Sequence, residues 1–180
     1  MDCLRVVLPA LNHRDLCELM LTAPYRLIKN VSKKVVLGIS SGIYGEDNYV
    51  ATYGRLYSWY VAADNRNVCP TGWHVPGENE WNILLSNVSS PAELKESGTA
   101  HWLSPNTGAT NSVLFTALPG GYSAGTGIIS LNEYASFHFK NETNATTGRG
   151  YMLYYNNIPN TGSYVSFGKE FAFSIRCLKD

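Results

Sequence analysis

The stretch NVCPTGWHVP, residues 67–76, brings one cysteine, two prolines and one tryptophan close together. Cys69 lies directly before Pro70, which indicates a loop, because proline interrupts regular structure. His74 lies between Trp73 and Val75, where a histidine is more often hydrogen-bonded in a loop or core than catalytic. We therefore expect this stretch to be part of the scaffold.

Residues 78–86, which follow this stretch, have a helical pattern. Two glutamates lie in the first turn, where carboxylates favour the helix dipole. Trp81, Leu84 and Leu85 fall on one apolar face. Residues 90–93 (SPAE) then form a capping box with proline at the first helical position, which predicts a second short helix or turn.

Short strand candidates make up most of the remaining chain. Residues 53–60 (YGRLYSWY) are strand-like. Because the later candidates follow the helical middle instead of alternating with it, the pattern favours an α+β fold. These later candidates are residues 113–118, 127–131, 134–139, 150–156, 163–167 and 171–178. The expected core comprises Trp59, Trp73, Trp81, Trp102, Phe115, Leu118, Leu153, Phe173 and Ile175.

Charge and hydropathy exclude two classes of partner. The chain has 14 basic and 14 acidic residues among 180, so its formal net charge is zero. Nucleic-acid binding therefore lacks the basic patch that it requires. No apolar run approaches the roughly 20 residues of a membrane span, so we expect no membrane insertion.

Motifs for catalysis and for metal or cofactor binding are also missing. The four histidines show no metal-ligand spacing, and no phosphate-binding glycine loop or nucleophile elbow occurs. The four cysteines include no Cys-x-x-Cys pair. From their spacing alone, Cys69 and Cys177 could be a bridge or two buried thiols. We expect a non-enzymatic protein without a cofactor.

Residues 1–47 differ in character from the rest and are interpreted as an N-terminal extension. Asn12 could cap a short helix, and residues 35–37 have a short strand pattern. Residues 1–10 do not have the charge and length pattern of a signal peptide. We expect this extension to pack onto the main core, with an oligomerisation or docking arm as the alternative.

A series of blocks, in order, is more specific than any single motif. They are residues 53–60, 67–76, 80–81, 94–96, 101–111, 115–122 and 173–180. Together they resemble the Fibrobacter succinogenes major paralogous domain, a family of surface and secreted modules, over residues 48–180.

The resemblance implies a C-type-lectin-like fold of the branch related to the formylglycine-generating enzyme. It also implies a disulfide between Cys69 and Cys177, and a location outside the cell, at the cell surface or on a virus particle. The oxidases of this branch use a cysteine pair, whereas only Cys177 lies near the end here. The tripeptides with which calcium-dependent lectins read sugars are absent as well.

The region between the family blocks, about residues 136–167, is rich in Asn, Tyr, Ser and Thr. Domains of this fold include the variable proteins of diversity-generating retroelements, which suggests that this region displays a diversified ligand-binding surface. Strand alternation predicts that Ser136, His138 and Lys140 face away from the core, opposite Phe137 and Phe139. The candidate ligand-binding residues are Ser136, His138, Lys140, Asn141, Tyr151, Tyr154, Asn156, Asn157, Asn160, Ser163, Tyr164 and Ser166.

Two kinds of partner fit such a surface. Tyrosine supplies rigid contact area and small polar residues supply adaptable hydrogen bonds, which suits a protein receptor or partner. The alternative is a glycan, bound by a carbohydrate-binding or adhesin module of a bacterial surface protein. The oligomeric state is left open.

Overall fold

The computed structural model describes residues 47–156 and 161–180. Short helices come first and the main sheet follows, as in an α+β fold. The helices are α1 (Asp47–Tyr53), α2 (Trp59–Ala62), α3 (Glu78–Ser86) and a 3-10 helix (Pro91–Leu94). The strands are β1 (Tyr57–Ser58), β2 (Trp73–His74), β3 (Tyr134–Glu142), β4 (Thr147–Tyr154), β5 (Gly162–Gly168), β6 (Ala172–Phe173) and β7 (Leu178–Lys179).

The main sheet has three antiparallel strands in the order β3-β4-β5. Phe137 pairs with Tyr151, which in turn pairs with Tyr164, and this register fixes which side chains share a face. The β3–β4 ladder is irregular between His138 and Glu142, close to the four-residue loop (residues 143–146) that joins the two strands.

Two small sheets tie the end of the chain to segments near residues 57 and 73. Strand β1 pairs with β6, and β2 pairs with β7, both antiparallel. The bond between Cys69 and Cys177 reinforces the second pairing, across a sequence separation of 108 residues. The implied disulfide is therefore confirmed.

The main core lies between α3 and one face of the sheet. Trp81 of α3 is 2% exposed and is surrounded by aromatic rings of the loop before the sheet and of the sheet itself. Four ring centroids lie 5.4–5.7 Å from that of Trp81, namely those of Phe115, Phe137, Phe139 and Tyr151. A second cluster of Trp59, Phe167 and Phe173 covers the other face.

The predicted helix at residues 78–86 and the capping box are confirmed with their boundaries. In the box, the Ser90 hydroxyl accepts from the Ala92 N–H and the Glu93 carboxylate accepts from the Ser90 N–H. The two bonds explain why the chain turns into a helix at Pro91, since they satisfy donors that a helix start leaves unpaired.

The prediction of a long strand at residues 53–60 is wrong. Helix α1 ends at Tyr53, Gly54 follows with φ +80°, and only Tyr57 and Ser58 are strand. From Trp59 the backbone turns helical, which directs the Trp59 ring into the cluster with Phe167 and Phe173. Tertiary packing has overridden the strand preference of aromatic residues.

Among the later strand candidates, residues 134–139, 150–156 and 163–167 lie in the main sheet, which is therefore largely anticipated. Residues 113–118 form no strand, because Leu114 and Thr116 adopt positive φ angles. Residues 127–131 contribute only the bridge between Ile129 and Tyr122.

Six members of the expected core are buried: Trp59, Trp81, Trp102, Phe115, Leu153 and Phe173. Trp73, Leu118 and Ile175 are only half-buried, and Trp73 and Ile175 pack at the margin of the buried cluster of Ala62, Cys69 and Val75. Residues 171–178, predicted as one strand, contain β6 and only the first residue of β7, Leu178. The helix and strand predicted within residues 1–46 lie outside the described residues.

Candidate functional site

The three-stranded sheet is covered on both faces over most of its length. We call the face against α3 the helix side and the face against Phe173 the β6 side. Phe137, Phe139 and Tyr151 point to the helix side, where they meet Trp81. Ser136 and His138 belong to the β6 side, and the His138 ring stacks on Phe173 at 5.0 Å.

Three candidate binding residues are therefore inaccessible. Ser136 is 1% exposed, His138 0% and Tyr151 3%. The alternation of β3 was predicted correctly, but the expectation that Ser136 and His138 face solvent is wrong. Residues 167–174 pack over the face that was expected to be open, and the sequence pattern of β3 alone does not reveal that second layer.

His138 is a buried neutral histidine. Its Nε2 donates to the Tyr57 carbonyl oxygen at 2.5 Å, and its Nδ1 has no partner among the described residues. Burial lowers the pKa of His138 to about 3, although the bond to Tyr57 opposes that shift. Its role is to join β3 to β1, not to contact a ligand.

Near the β3–β4 turn, accessible polar residues form a group that we call the hairpin cluster: Glu78, Asn141, Arg149, Tyr164 and Ser166. Arg149 makes two 3.0 Å bonds to the carboxylate of Glu78, and its guanidinium lies 5.4 Å from the Tyr164 ring. Asn141 accepts from the Glu78 N–H at 2.8 Å. The bond from Arg149 holds the pKa of Glu78 below its ordinary value, so the pair is ionised at neutral pH.

The exposed candidates fall partly in this cluster. Lys140, Asn141 and Ser166 are exposed and Tyr164 is half-buried, with its hydroxyl donating to Asn82 of α3. Because the cluster is internally hydrogen-bonded, its side chains are held in fixed positions. Fixed positions reduce the entropy that binding would otherwise cost.

At the other end of β4, Tyr154, Asn156 and Ser163 are half-buried. The hydroxyls of Tyr154 and Ser163 are hydrogen-bonded across the two strands. Asn157 and Asn160 lie outside the described residues. The candidates thus form two groups at opposite ends of the sheet, not one contiguous patch.

A buried lysine supports this second group. Lys95 is 0% exposed, and its Nζ donates to the carbonyl oxygens of Thr107 and Tyr154 at 3.0 and 2.8 Å. Burial lowers the pKa of Lys95 to about 8. The ammonium group fixes the end of β4, which makes Lys95 a structural residue beneath Tyr154.

On the β6 side, half-buried tyrosines form a row that we call the tyrosine strip: Tyr122, Tyr134 and Tyr154. The Tyr134 ring lies 5.2 Å from Tyr154 and 6.5 Å from Tyr122, with which it is nearly parallel. Met152, Val165 and Phe171, also half-buried, continue this apolar surface. Aromatic rows of this kind offer contact area at low entropic cost.

Strand β5 is the outer strand of the sheet. Thr161 and Ser163 face β4, since the Tyr154 N–H bonds to the Thr161 carbonyl and the ladder alternates. Gly162, Tyr164 and Ser166 therefore direct their backbone groups outward. Outside the strand ladders, no backbone hydrogen bond within residues 47–156 and 161–180 uses the backbone groups of these three residues. Gly162 is buried, Tyr164 is half-buried and Ser166 is exposed.

Two further features do not suit a small-molecule site. A cavity of about 50 Å³ lies between Trp81, Phe115 and Leu178, far below the several hundred cubic ångströms of ordinary ligand pockets. No group of three His, Cys, Asp or Glu side chains in the described part of the chain is arranged to hold a metal ion. The surface of the sheet therefore remains the candidate site.

Comparison with protein families matches residues 40–179 to the model of the Fibrobacter succinogenes major domain. The chain belongs to this family. Searches of curated proteins and of solved structures gave no match. No described helix of this Fibrobacter succinogenes major domain has the length and hydropathy needed to cross a membrane.

Sequence reasoning missed several contributors to the surface of this Fibrobacter succinogenes major domain: Glu78, Tyr122, Tyr134, Arg149 and Val165. Arg149 is the single charged residue between positions 143 and 168, and that isolation was a usable signal. Val165 is not among the candidate residues, yet it is only half-buried beside Ser163 and Ser166 and so is partly accessible. Its exposure follows from the edge position of β5, which composition does not encode.

Proposed function

We propose that this domain is a non-enzymatic binding module with a C-type-lectin-like fold that displays a diversified surface to a protein receptor or partner. The observation that carries the proposal is the contrast within one sheet. Buried aromatic rings fill its middle, whereas Tyr, Asn, Ser and Lys side chains are accessible at its two ends. A rigid scaffold with uncharged adaptable contacts is the arrangement found in binding surfaces that tolerate variation.

The proposed surface comprises the described candidates that are exposed or only half-buried: Lys140, Asn141, Tyr154, Asn156, Ser163, Tyr164 and Ser166. Substitutions at such positions usually change stability by about 0.5 kcal/mol or less. Diversification of most of these positions would therefore leave the fold intact. Asn141, which accepts from the Glu78 N–H, and Tyr164, which packs on Phe139 and Tyr151, should accept fewer replacements. We place the module outside the cell, at the cell surface or on a virus particle, where a disulfide is stable.

A displayed library tests whether the surface accepts variation and binds. Two libraries of the full chain, one randomised at these seven positions and one at Ser136, His138 and Tyr151, are displayed on yeast and sorted for folded protein. We expect the first library to keep most of its members and to yield binders to unrelated protein targets. The second should lose most members. Similar loss in both libraries, or no binders from the first, would contradict the proposal.

The alternative is a carbohydrate-binding or adhesin module, and the tyrosine strip favours it. Aromatic rings that are half-exposed can stack on flat apolar faces of a ligand. A glycan array with the wild type and Tyr134→Ala distinguishes the two functions. Binding to a defined glycan that Tyr134→Ala abolishes would replace the protein partner with a sugar.

A further inference from the structure

We infer that the outer edge of β5 binds an extended polypeptide segment of the partner, which adds to the sheet as a fourth strand. This inference rests on the proposed binding function and names the form of its partner.

The backbone of β5 carries the first step of the argument. Tyr164, which is half-buried, and Ser166, which is exposed, present N–H and C=O groups outward that no described residue satisfies, whereas Gly162 at the start of the strand is buried. Strand β5 pairs with β4 in unbroken register over seven residues, from Gly162 to Gly168. The edge is therefore straight enough to template another strand.

The composition of β5 supplies the second step. Natural edge strands are commonly protected by lysine, proline, a bulge or very short length. Strand β5 reads GSYVSFG, which contains neither proline nor a charged residue. The only irregularity in the sheet lies on β3, at the opposite edge, where Ser174 bonds to Ser136 and His138. The edge formed by β3 is therefore covered, whereas the edge formed by β5 is open.

The side chains beside the edge define the partner. On the β6 side, Val165 lies with Met152 and Phe171 in a half-buried apolar surface. On the helix side, Tyr164 and Ser166 lie beside the ion pair of Arg149 and Glu78, whose opposite charges cancel. An added strand would alternate, with apolar side chains toward Val165 and uncharged polar ones toward Tyr164.

A single segment fits the edge better than a second copy of this chain. If a two-fold axis pairs the β5 strands of two copies antiparallel, the helix sides of both sheets lie on the same face of the combined sheet. Helix α3 contacts Tyr164 through Asn82, so two copies would bring both α3 helices against each other beside the new pair. An extended peptide carries no such second layer.

The test uses a phage library of random linear 12-residue peptides, selected on the oxidised full chain. We expect the enriched peptides to alternate apolar and polar residues and to lack proline at their centre. Ser166→Pro removes one outward N–H and is tolerated at an edge, so it should weaken binding at least tenfold, as should Ser166→Lys. The matched control Ser97→Lys, at another exposed serine, should bind as the wild type does. In the bound state, amide exchange at Tyr164 and Ser166 should slow at least tenfold.

Three results would overturn the inference. Enriched peptides that bind Ser166→Pro as well as the wild type would place the peptide site elsewhere. A defined glycan or folded protein as the ligand, bound equally by the wild type and Ser166→Pro, with no peptide enriched, would leave the binding function standing without strand addition. No ligand of any kind would count against both proposals.

Discussion

At the scale of single residues, Trp81 is the side chain on which the main core depends. It is 2% exposed, and its ring contacts both the loop before the sheet and strands β3 and β4. Its indole N–H has no acceptor among the described residues, so its contribution comes from packing. The Trp81 ring therefore stabilises the fold by packing between α3 and the sheet.

Replacing this ring should be the most damaging change at a core position. Trp81→Ala is expected to lower the free energy of unfolding by about 3–5 kcal/mol, the usual range for large-to-small core substitutions. Denaturant midpoints of oxidised protein provide the measurement. Trp73→Ala is the matched control and should cost clearly less, because Trp73 is half-buried. Equal losses in the two variants would contradict this placement of the core.

His138 should make the domain sensitive to acid. Its folded pKa of about 3 lies below the ordinary value of 6.5, so the unfolded chain binds its proton first. The contribution of neutral His138 to the free energy of unfolding is therefore fully present above pH 6.5 and is lost as the pH falls toward 3. Between pH 7 and pH 4 this histidine should account for a loss of about 3 kcal/mol.

His138→Phe isolates that effect, since the replacement ring can pack between Phe167 and Phe173 but cannot titrate. Denaturant unfolding at pH 7 and pH 4 should show a smaller difference for the variant than for the wild type. The variant should be the less stable at pH 7, because it lacks the bond to Tyr57. An unchanged pH dependence would mean that the pKa of His138 is the same in the folded and the unfolded chain.

At the scale of elements, the exchange of backbone amides in β5 tests whether its edge is open. The N–H groups of Ser163, Val165 and Phe167 face β4, whereas those of Tyr164 and Ser166 face outward. In the free protein, the outward amides should exchange with solvent at least tenfold faster than the inward ones. Residue-resolved hydrogen exchange by NMR measures this directly. Uniform protection along β5 would show that another part of the chain covers the edge.

Elements with strong local signals were predictable. Helix α3 has two acidic residues in its first turn and an apolar stripe, and the capping box at Ser90 starts the 3-10 helix. Strands β3, β4 and β5 have enough length and alternation to be recognised. Where a few tertiary contacts determine the backbone, as at Trp59 or Leu114, local preference failed because it does not contain those contacts.

The candidate site was predictable only in part, for a related reason. Composition located the polar region correctly, and Tyr154, Ser163 and Ser166 are accessible. Alternation along β3 separated two faces, but it could not show that Phe173 covers the second one. Whether a side chain on a strand is exposed depends on what packs over that face of the sheet, and the sequence of the strand itself does not contain this information.

At the scale of the whole molecule, the disulfide joins the loop before β2 to the end of the chain. Cys69 and Cys177 are separated by 108 residues in sequence. A cross-link over about a hundred residues contributes roughly 4–5 kcal/mol in the chain-entropy description. The double variant Cys69→Ala and Cys177→Ala should lose most of that amount in denaturant unfolding. A loss below about 1 kcal/mol would mean that the β2–β7 pairing fixes the chain end without the bond.

The measurement that tests the central claim most directly is deep sequencing of this gene from its source population. The buried residues His138 and Tyr151 provide an internal control, because their codons contain adenine and mutagenesis therefore reaches them. We predict substitutions at adenine-bearing codons of the accessible positions, with both buried codons and codons 53–122 nearly constant. The accessible positions are Lys140, Asn141, Tyr154, Asn156, Ser163, Tyr164 and Ser166. Variation spread evenly over all these codons would contradict a diversified binding surface.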